Sequence, residues 1–493
     1  MTSMGNMPFT TSDLASLNGE ITLAIGACLV LVWGAFAPRN RQTGHRFAWV
    51  TLLFVLSAMA GVTLGLPAQI ANGVTSAFSG QLAVDGYGSF FSALFLVAAA
   101  LAIGASFRFL DDEDAHAPEY YFFMLTSLIG MMLMARAADL ISLFIGLELQ
   151  ALSVYVLVGY LKKDRRSTEA GLKYFILGGL SSGIFIYALS LVYAVTGTTN
   201  LEAIGTSLSV PGTVDNPILI LGLILLVVSL AFKVAAVPFH MWAPDAYSGA
   251  PTPVSLFISV ASKAAAFAMM IRLLFVAFEP MEASWTALLA VVSVATMTFG
   301  NIAAVTQDNV KRMFAYSSVA HAGYALMGVV AGTGEGISAA MFYLFAYTFM
   351  NIGAWGMIVL FRRDGKACDR VEDFAGLVHR SGWAATAMVI FMLSLGGIPP
   401  TLGFLGKWYV FGAAIGAGYG WLAVVGAINA VISIFYYLRL VKTMFVSEVD
   451  DDVTLVSSLP LTVTLTLSAA ITLLGVILGT PFIEWVQSAT LPY

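Results

Sequence analysis

The chain has 493 residues, 59% hydrophobic and 10% charged, where an ordinary soluble protein carries roughly 25% charged residues. A mean hydropathy of +0.88 leaves no room for a soluble domain of any size and makes this an all-α polytopic membrane protein. The net charge of −5 says little, because the distribution of charge along a membrane protein matters more than its sum.

Apolar runs of roughly 20 residues mark membrane helices. Fourteen are predicted, at 15–37, 47–67, 86–110, 119–136, 138–160, 168–195, 217–248, 252–278, 284–305, 309–331, 336–361, 383–416, 421–445 and 459–480. Helices 7 and 12 are longer than a bilayer needs, and each holds a proline break: Pro238 in helix 7, Pro399 and Pro400 in helix 12. Each reads as two half-helices joined by an unwound piece. The first twenty residues carry no basic stretch, so no cleaved signal peptide is expected. GTGEG at 332–336 lies between two apolar helices and reads as a turn rather than a nucleotide loop. Cys28 and Cys368 stand far apart and in no metal spacing, which argues against iron–sulfur and zinc sites in this chain.

Lysine and arginine counts orient the chain. Of 23 such residues, those in or beside the odd-numbered connections are Arg39, Arg41, Arg46, Arg108, Lys162, Lys163, Arg165, Arg166, Lys311, Arg312, Arg362, Arg363, Lys366, Arg370, Arg380, Arg439 and Lys442. Those connections are expected to be cytoplasmic, with both termini outside. Only Arg136 and Arg272 lie near the opposite face, and both are expected to snorkel to water. Helices 4–8 and 9–13 form two sets of five. A shift of five helices reverses direction, so the sets are expected to be inverted repeats with their breaks at equivalent positions. The expected division is an N-terminal three-helix segment (1–116), a first repeat (117–280), a second repeat (281–447) and a C-terminal helix (448–493).

Ionisable groups at membrane depth are costly and mark function. Glu148 lies about eleven residues into helix 5, ~16 Å deep at 1.5 Å per residue. It reads either as a structural partner for a neighbouring lysine or as a proton-path carboxylate. Lys233 precedes the Pro238 break by five residues, and the two form the candidate pair. Burial disfavours an ammonium and a nearby carboxylate restores it, so a lysine whose partner moves can load and release a proton. Lys263, near the middle of helix 8, has no obvious partner in the sequence. Lys407 follows the second break and reads as a terminal proton donor or acceptor. His321 in helix 10 reads as a relay or as a packing residue, and His240 as a relay or a cap for the first break. Lys173, near the inner end of helix 6, reads as a snorkelling lysine or a further relay. The four charged groups Glu148, Lys233, Lys263 and Lys407 are expected at similar depth, in a row along the membrane plane, with His321 between the last two.

The run FKVAAVPFHMWAPDAYSGAPTPV at 232–254 resembles the antiporter-like subunits of respiratory complex I, the proton-pumping NADH:quinone oxidoreductase. GIPPTLGFLGKWYVF at 397–411 resembles the subunit-N type, since the M type carries a glutamate at the position of Lys407. The resemblance implies roles for Glu148, Lys233, Lys263 and Lys407 as the helix 5 glutamate and the lysines of helices 7, 8 and 12. It implies a proton-translocating subunit of this enzyme, in a bacterial inner membrane with both termini periplasmic. It also implies that NADH, FMN, iron–sulfur clusters and quinone bind in partner subunits and that this chain holds no redox centre. Expected neighbours are antiporter-like subunit M, small subunits K and J, the lateral helix of subunit L and the lipid bilayer, with no nucleic acid. The long C-terminal helix of the L type would extend beyond Tyr493. An Mrp-type cation/proton antiporter subunit is the alternative reading, and a membrane subunit of an energy-converting hydrogenase a third.

Overall fold

The computed structural model describes residues 10–38, 40–363, 366–449 and 452–491. Arg39, residues 1–9 and Tyr493 lie outside the described residues, as does the side chain of Lys366. Each of the fourteen predicted segments is helical. Helices 1–6 are Asn18–Phe36, Arg41–Asn72, Gly86–Asp112, Ala117–Arg136, Leu140–Val158 and Arg165–Thr196. Helix 7 is Pro217–Lys233 followed, after a break, by Trp242–Gly249. Helix 8 spans Thr252–Ala277. Helices 9–11 are Glu282–Val305, Val310–Val330 and Gly334–Val359. Helix 12 is Gly382–Gly396 followed by Leu402–Gly416, helix 13 is Gly420–Val446 and helix 14 is Leu459–Leu474. Ten of these are long and apolar enough to cross a membrane alone.

Three features differ from the sequence expectation. Helix 14 ends six residues early, and the chain bends by 94° into Gly479–Ser488. Helix 8 is not uniform: Ile258–Ser262 and Leu273–Ala277 are π-helical, and the α-helical stretch Lys263–Arg272 lies between them. Short strands also lie outside the helices. β1 (Thr75–Ala77) pairs with β2 (Leu82–Val84) between helices 2 and 3, and β3 (Phe361–Arg363) pairs with β4 (Lys366–Ala367) and β5 (Val453–Leu455).

The packing separates the helices into two kinds. Helices 3, 8, 10 and 11 are almost wholly enclosed by their neighbours. Helices 2, 6 and 13 turn apolar side chains outward, among them Leu53 and Leu64, Ile176 and Leu180, and Val431 and Phe435. Apolar residues outside and polar ones within is the arrangement a hydrocarbon solvent favours, since lipid hydrates no ammonium or hydroxyl. Glycines set the closest crossings. A Cβ on Gly130 of helix 4 would stand 2.6 Å from the Gly146 carbonyl of helix 5. That crossing brings helix 5 against helix 4 two residues from Glu148.

Candidate functional site

The two breaks explain how lysines sit inside the bundle. Helix 7 stops at Lys233, and the chain runs through Ala235 (φ +59°) and Pro238 before Trp242 restarts it. An unwound backbone at this depth needs partners, and it has them. The Val237 N–H donates to Thr296 Oγ1 (3.0 Å), and the Phe232 carbonyl accepts from Trp242 Nε1 (2.9 Å). Helix 12 stops at Gly396, and Gly397 turns the chain at φ +81°. Lys407 curls back over that turn and donates to the carbonyls of Leu395 (3.1 Å) and Gly396 (3.0 Å). These are the open carbonyls at the C-terminal end of a helix, where the dipole favours a cation. These freed backbone groups are thus bonded by side chains.

Lys263 is 3% exposed. It does have a partner: Nζ donates to both the carbonyl and the hydroxyl of Ser318 on helix 10. It also lies 6.0 Å from the centre of the Tyr347 ring. Helix 5 reaches the same place, since Gln150 Nε2 donates to Ser262 Oγ at 2.7 Å. Helix 11 does so through Asn351, whose Nδ2 donates to Ser259 Oγ at 2.8 Å.

His321 stands between Lys263 and Lys407. Its ring lies 5.0 Å from that of Tyr347, which faces Lys263, and 5.8 Å from that of Tyr324, over which Lys407 Nζ sits at 4.8 Å. Nδ1 is 2.6 Å from the Tyr343 hydroxyl, and Nε2 is 3.2 Å from the Tyr437 hydroxyl. Tyr437 in turn meets Ser317 Oγ at 2.5 Å, next to the serine that binds Lys263. A polar branch leaves this row at Tyr324. Asn301 Nδ2 donates to the Tyr324 hydroxyl (3.4 Å) and to Asn429 Oδ1 (3.3 Å), and its Oδ1 accepts from Tyr436 (3.1 Å).

The first half of the molecule is more open. Glu148 and Lys233 are only partly buried. They interact electrostatically, yet Lys233 Nζ bonds Ser182 Oγ (3.3 Å) instead, and Glu148 Oε1 is buried with no hydrogen bond in the chain. A direct ion pair between them, one form of the expected pairing, is therefore not made. His240 is buried at the break, its ring 4.7 Å from that of Phe299, with Nδ1 unbonded. Lys173 lies away from the row. It is half exposed and pairs with Glu169 (2.9 Å) and Asp245 (3.0 Å), and Arg312 meets the same Asp245 (2.9 Å). These side chains line a cleft of about 320 Å³ at the end of the bundle that carries the basic connections.

Two basic residues stand otherwise than expected. Arg136 and Arg272 do not snorkel: they are 5% and 3% exposed and bind Glu20 and Asp85. Lys311, beside a basic connection, is 8% exposed and donates to the Ala250 carbonyl (2.8 Å) at the end of helix 7. The tyrosines around His321 were not singled out from the sequence either. Tyr343 and Tyr347 share a helical face one turn apart, which was the available signal, but aromatic stripes in membrane helices read as packing. Among the described residues, no group of three or more His, Cys, Asp or Glu side chains is placed to hold a metal ion.

Comparison with known proteins gives a consistent result. Residues 137–433 match the family model described as NADH:quinone oxidoreductase/Mrp antiporter, TM. The chain is 42% identical over 483 residues to NADH-quinone oxidoreductase subunit N of Trichlorobacter lovleyi, covering 98% of each chain. A chain in the structure of respiratory complex I from Thermus thermophilus with bound aureothin superposes with a TM-score of 0.81 at 29% identity, covering 96% of this chain and 100% of that one. A chain of the Mrp complex from Dietzia sp. DQ12-45-1b gives 0.81 at 21% identity, covering 97% of each, and shows the shared fold alone.

Proposed function

We propose, on the premise that this chain belongs to the NADH-quinone oxidoreductase subunit N family, that it carries protons through its row of buried side chains. The chain is an antiporter-like membrane subunit of complex I and assembles with other membrane-arm subunits. In the proposed mechanism Glu148, Lys233, Lys263 and Lys407 are the translocating groups, at similar depth along the membrane plane, and His321 is the relay between the last two. The observation that carries this is His321 with a tyrosine hydroxyl on each ring nitrogen, between the two enclosed lysines. A neutral imidazole has one N–H and one acceptor nitrogen. A proton taken up at one nitrogen can therefore leave from the other, and the ring need not move. Ser318, already bonded to Lys263 Nζ, accepts at the near end. His240 and Lys173 have lesser claims, the first as a cap of the break and the second as an exposed ion-pair lysine.

The same reading puts no redox centre in this chain. NADH, FMN, iron–sulfur clusters and quinone belong to partner subunits, and electron transfer there drives charge changes along the row. The proposed neighbours are subunit M, subunits K and J and the lateral helix of subunit L. The proposed setting is a bacterial inner membrane, with the basic connections cytoplasmic and both termini periplasmic. Residues 1–116, 117–280, 281–447 and 448–493 are the proposed units, the middle two being inverted repeats. Support for the repeat is that the fourth helix of each set is the broken one.

Lys263→Ala in the assembled complex tests the reading, with proton uptake per NADH oxidised as the measurement. Assembly with most pumping lost is expected. Pumping at the wild-type ratio in a fully assembled mutant would overturn it.

A further inference from the structure

Four charged side chains are buried together at the end of the bundle away from the basic connections. Arg272 grips Asp85 with both terminal guanidinium nitrogens, at 2.8 and 2.9 Å, and its Nε donates to the Ala135 carbonyl at 2.8 Å. Arg136, next to Ala135, binds Glu20 at 2.8 Å. All four side chains are 94% or more enclosed. Gly88 lets the pairs meet: a Cβ there would lie 2.6 Å from Arg136 Cγ, 3.1 Å from Asp85 Oδ1 and 3.5 Å from Arg272 Nη2. The acids come from helix 1 and from the start of helix 3, and the arginines from helices 4 and 8. The cluster therefore ties the N-terminal three helices to the part of the chain that carries Lys263.

Its place along helix 8 gives it a further consequence. The ten-residue α-helical stretch of that helix begins at Lys263 and ends at Arg272. At 1.5 Å per residue it is a strut of ~15 Å. A π-helical turn adjoins each end, at Ile258–Ser262 and Leu273–Ala277. Single π turns inside an α-helix are rare and are frequent at functional sites. The strut is held a second time by Tyr87, whose hydroxyl donates to the Ala268 carbonyl at 2.8 Å and whose ring lies 4.9 Å from the Arg272 guanidinium.

We propose that Arg272 is a positioning residue: held by Asp85 and Tyr87, it sets the height of the strut and so the place where Lys263 Nζ meets Ser318. The N-terminal segment thereby acts on the proton row without contributing a group to it. This rests on Lys263 being a proton carrier, as proposed above. Asp85→Asn weakens the grip by removing the charge and half of the fork. A neutral amide pair can hold the same place by hydrogen bonds, and buried ion pairs are often replaced without loss of fold.

The experiment measures proton uptake per NADH oxidised in membranes holding the assembled complex. It compares wild type, Asp85→Asn, the double variant Asp85→Asn with Arg272→Gln, Gly88→Ala and Lys263→Ala. The ratio is expected to fall at least twofold in Asp85→Asn and to recover most of its value in the double variant. A wild-type ratio in assembled Asp85→Asn, with Lys263→Ala impaired, overturns this inference and leaves the reading of Lys263 intact. A wild-type ratio in Lys263→Ala overturns both. A double variant as impaired as the single one would mean that the cluster's charge, not the strut's position, is what matters, and it also overturns the proposal. If Asp85→Asn fails to assemble, Gly88→Ala decides. A lowered ratio there supports positioning, and either a wild-type ratio or a second failure to assemble overturns it.

Discussion

His321 and Tyr437 meet at 3.2 Å inside the bundle, on the opposite side of the imidazole from Tyr343. Tyr437→Phe removes one of the two hydroxyls and leaves Ser317 without that partner as well. Losing a buried hydrogen bond costs about 1 kcal/mol, too little to prevent assembly. Proton uptake per NADH is expected to fall severalfold, and His321→Ala is expected to fall further. Equal, undiminished ratios for both variants would remove the histidine from the path.

Gly397→Ala is expected to act through Lys407. The position has φ +81° and a Cβ there would stand 2.7 Å from Lys407 Cδ. The left-handed backbone alone costs a residue with a Cβ roughly 1–2 kcal/mol. The lysine must also leave the carbonyls of Leu395 and Gly396 that it now binds. The variant should assemble with a lowered melting temperature and with pumping close to that of Lys407→Ala. Pumping unchanged from wild type would show that the curled-back placement of Lys407 is dispensable.

Glu148→Gln should impair pumping more than Glu148→Asp. Glu148 and Lys233 act on each other across a gap, since no ion pair within 4 Å joins them. A charge felt at a distance survives shortening by one methylene, whereas neutralising it does not. Proton uptake by the two variants, normalised to assembled complex, is the comparison, and an equal loss in both would contradict it.

Lys173→Ala should leave pumping near wild type. Its two ion pairs are half exposed, and pairs of that kind contribute little. Asp245 keeps Arg312 at 2.9 Å in the variant. A severalfold fall in the ratio would move Lys173 into the proton row.

Cys368 lies beside β4, outside the membrane helices, and burial pushes its thiol up to about 11. The thiolate is the reactive form, so the reaction grows as pH rises toward that value. At pH 8 about one thiol in a thousand is ionised, and alkylation by iodoacetamide should be slow and rise about tenfold per pH unit to pH 10. A fast, pH-independent reaction would contradict this.

The helices and both breaks were legible, and the four charged positions could be named as candidates, because each depends on local sequence. A twenty-residue apolar run, a proline and a lysine in the wrong solvent are visible without a partner. What was missed depends on distant pairs. Arg136 looked like a snorkelling arginine because Glu20 lies 116 residues away, and Asp85 lies 187 residues from Arg272. Lys263 looked partnerless because Ser318 is a serine 55 residues on and its carbonyl leaves no trace in composition. The tyrosines around His321 are indistinguishable in sequence from packing aromatics. The π-turns flanking Lys263–Arg272 have no sequence signature that periodicity detects.

Helix 5 turns Ile141, Ile145, Leu152 and Val156 outward. Glu148 falls on that same stripe by helical spacing, partly exposed, with one oxygen buried and unbonded. A copy inserted into the bilayer ahead of its neighbours would leave that stripe, and part of the Glu148 side chain, open to lipid. An acidic side chain at mid-bilayer costs about 2.5–3.5 kcal/mol on insertion scales. Covering that stripe with another membrane-arm subunit removes the cost. Orphan copies are therefore the less stable ones and the natural targets of membrane proteases, so the cellular level of this chain should follow the supply of its neighbours.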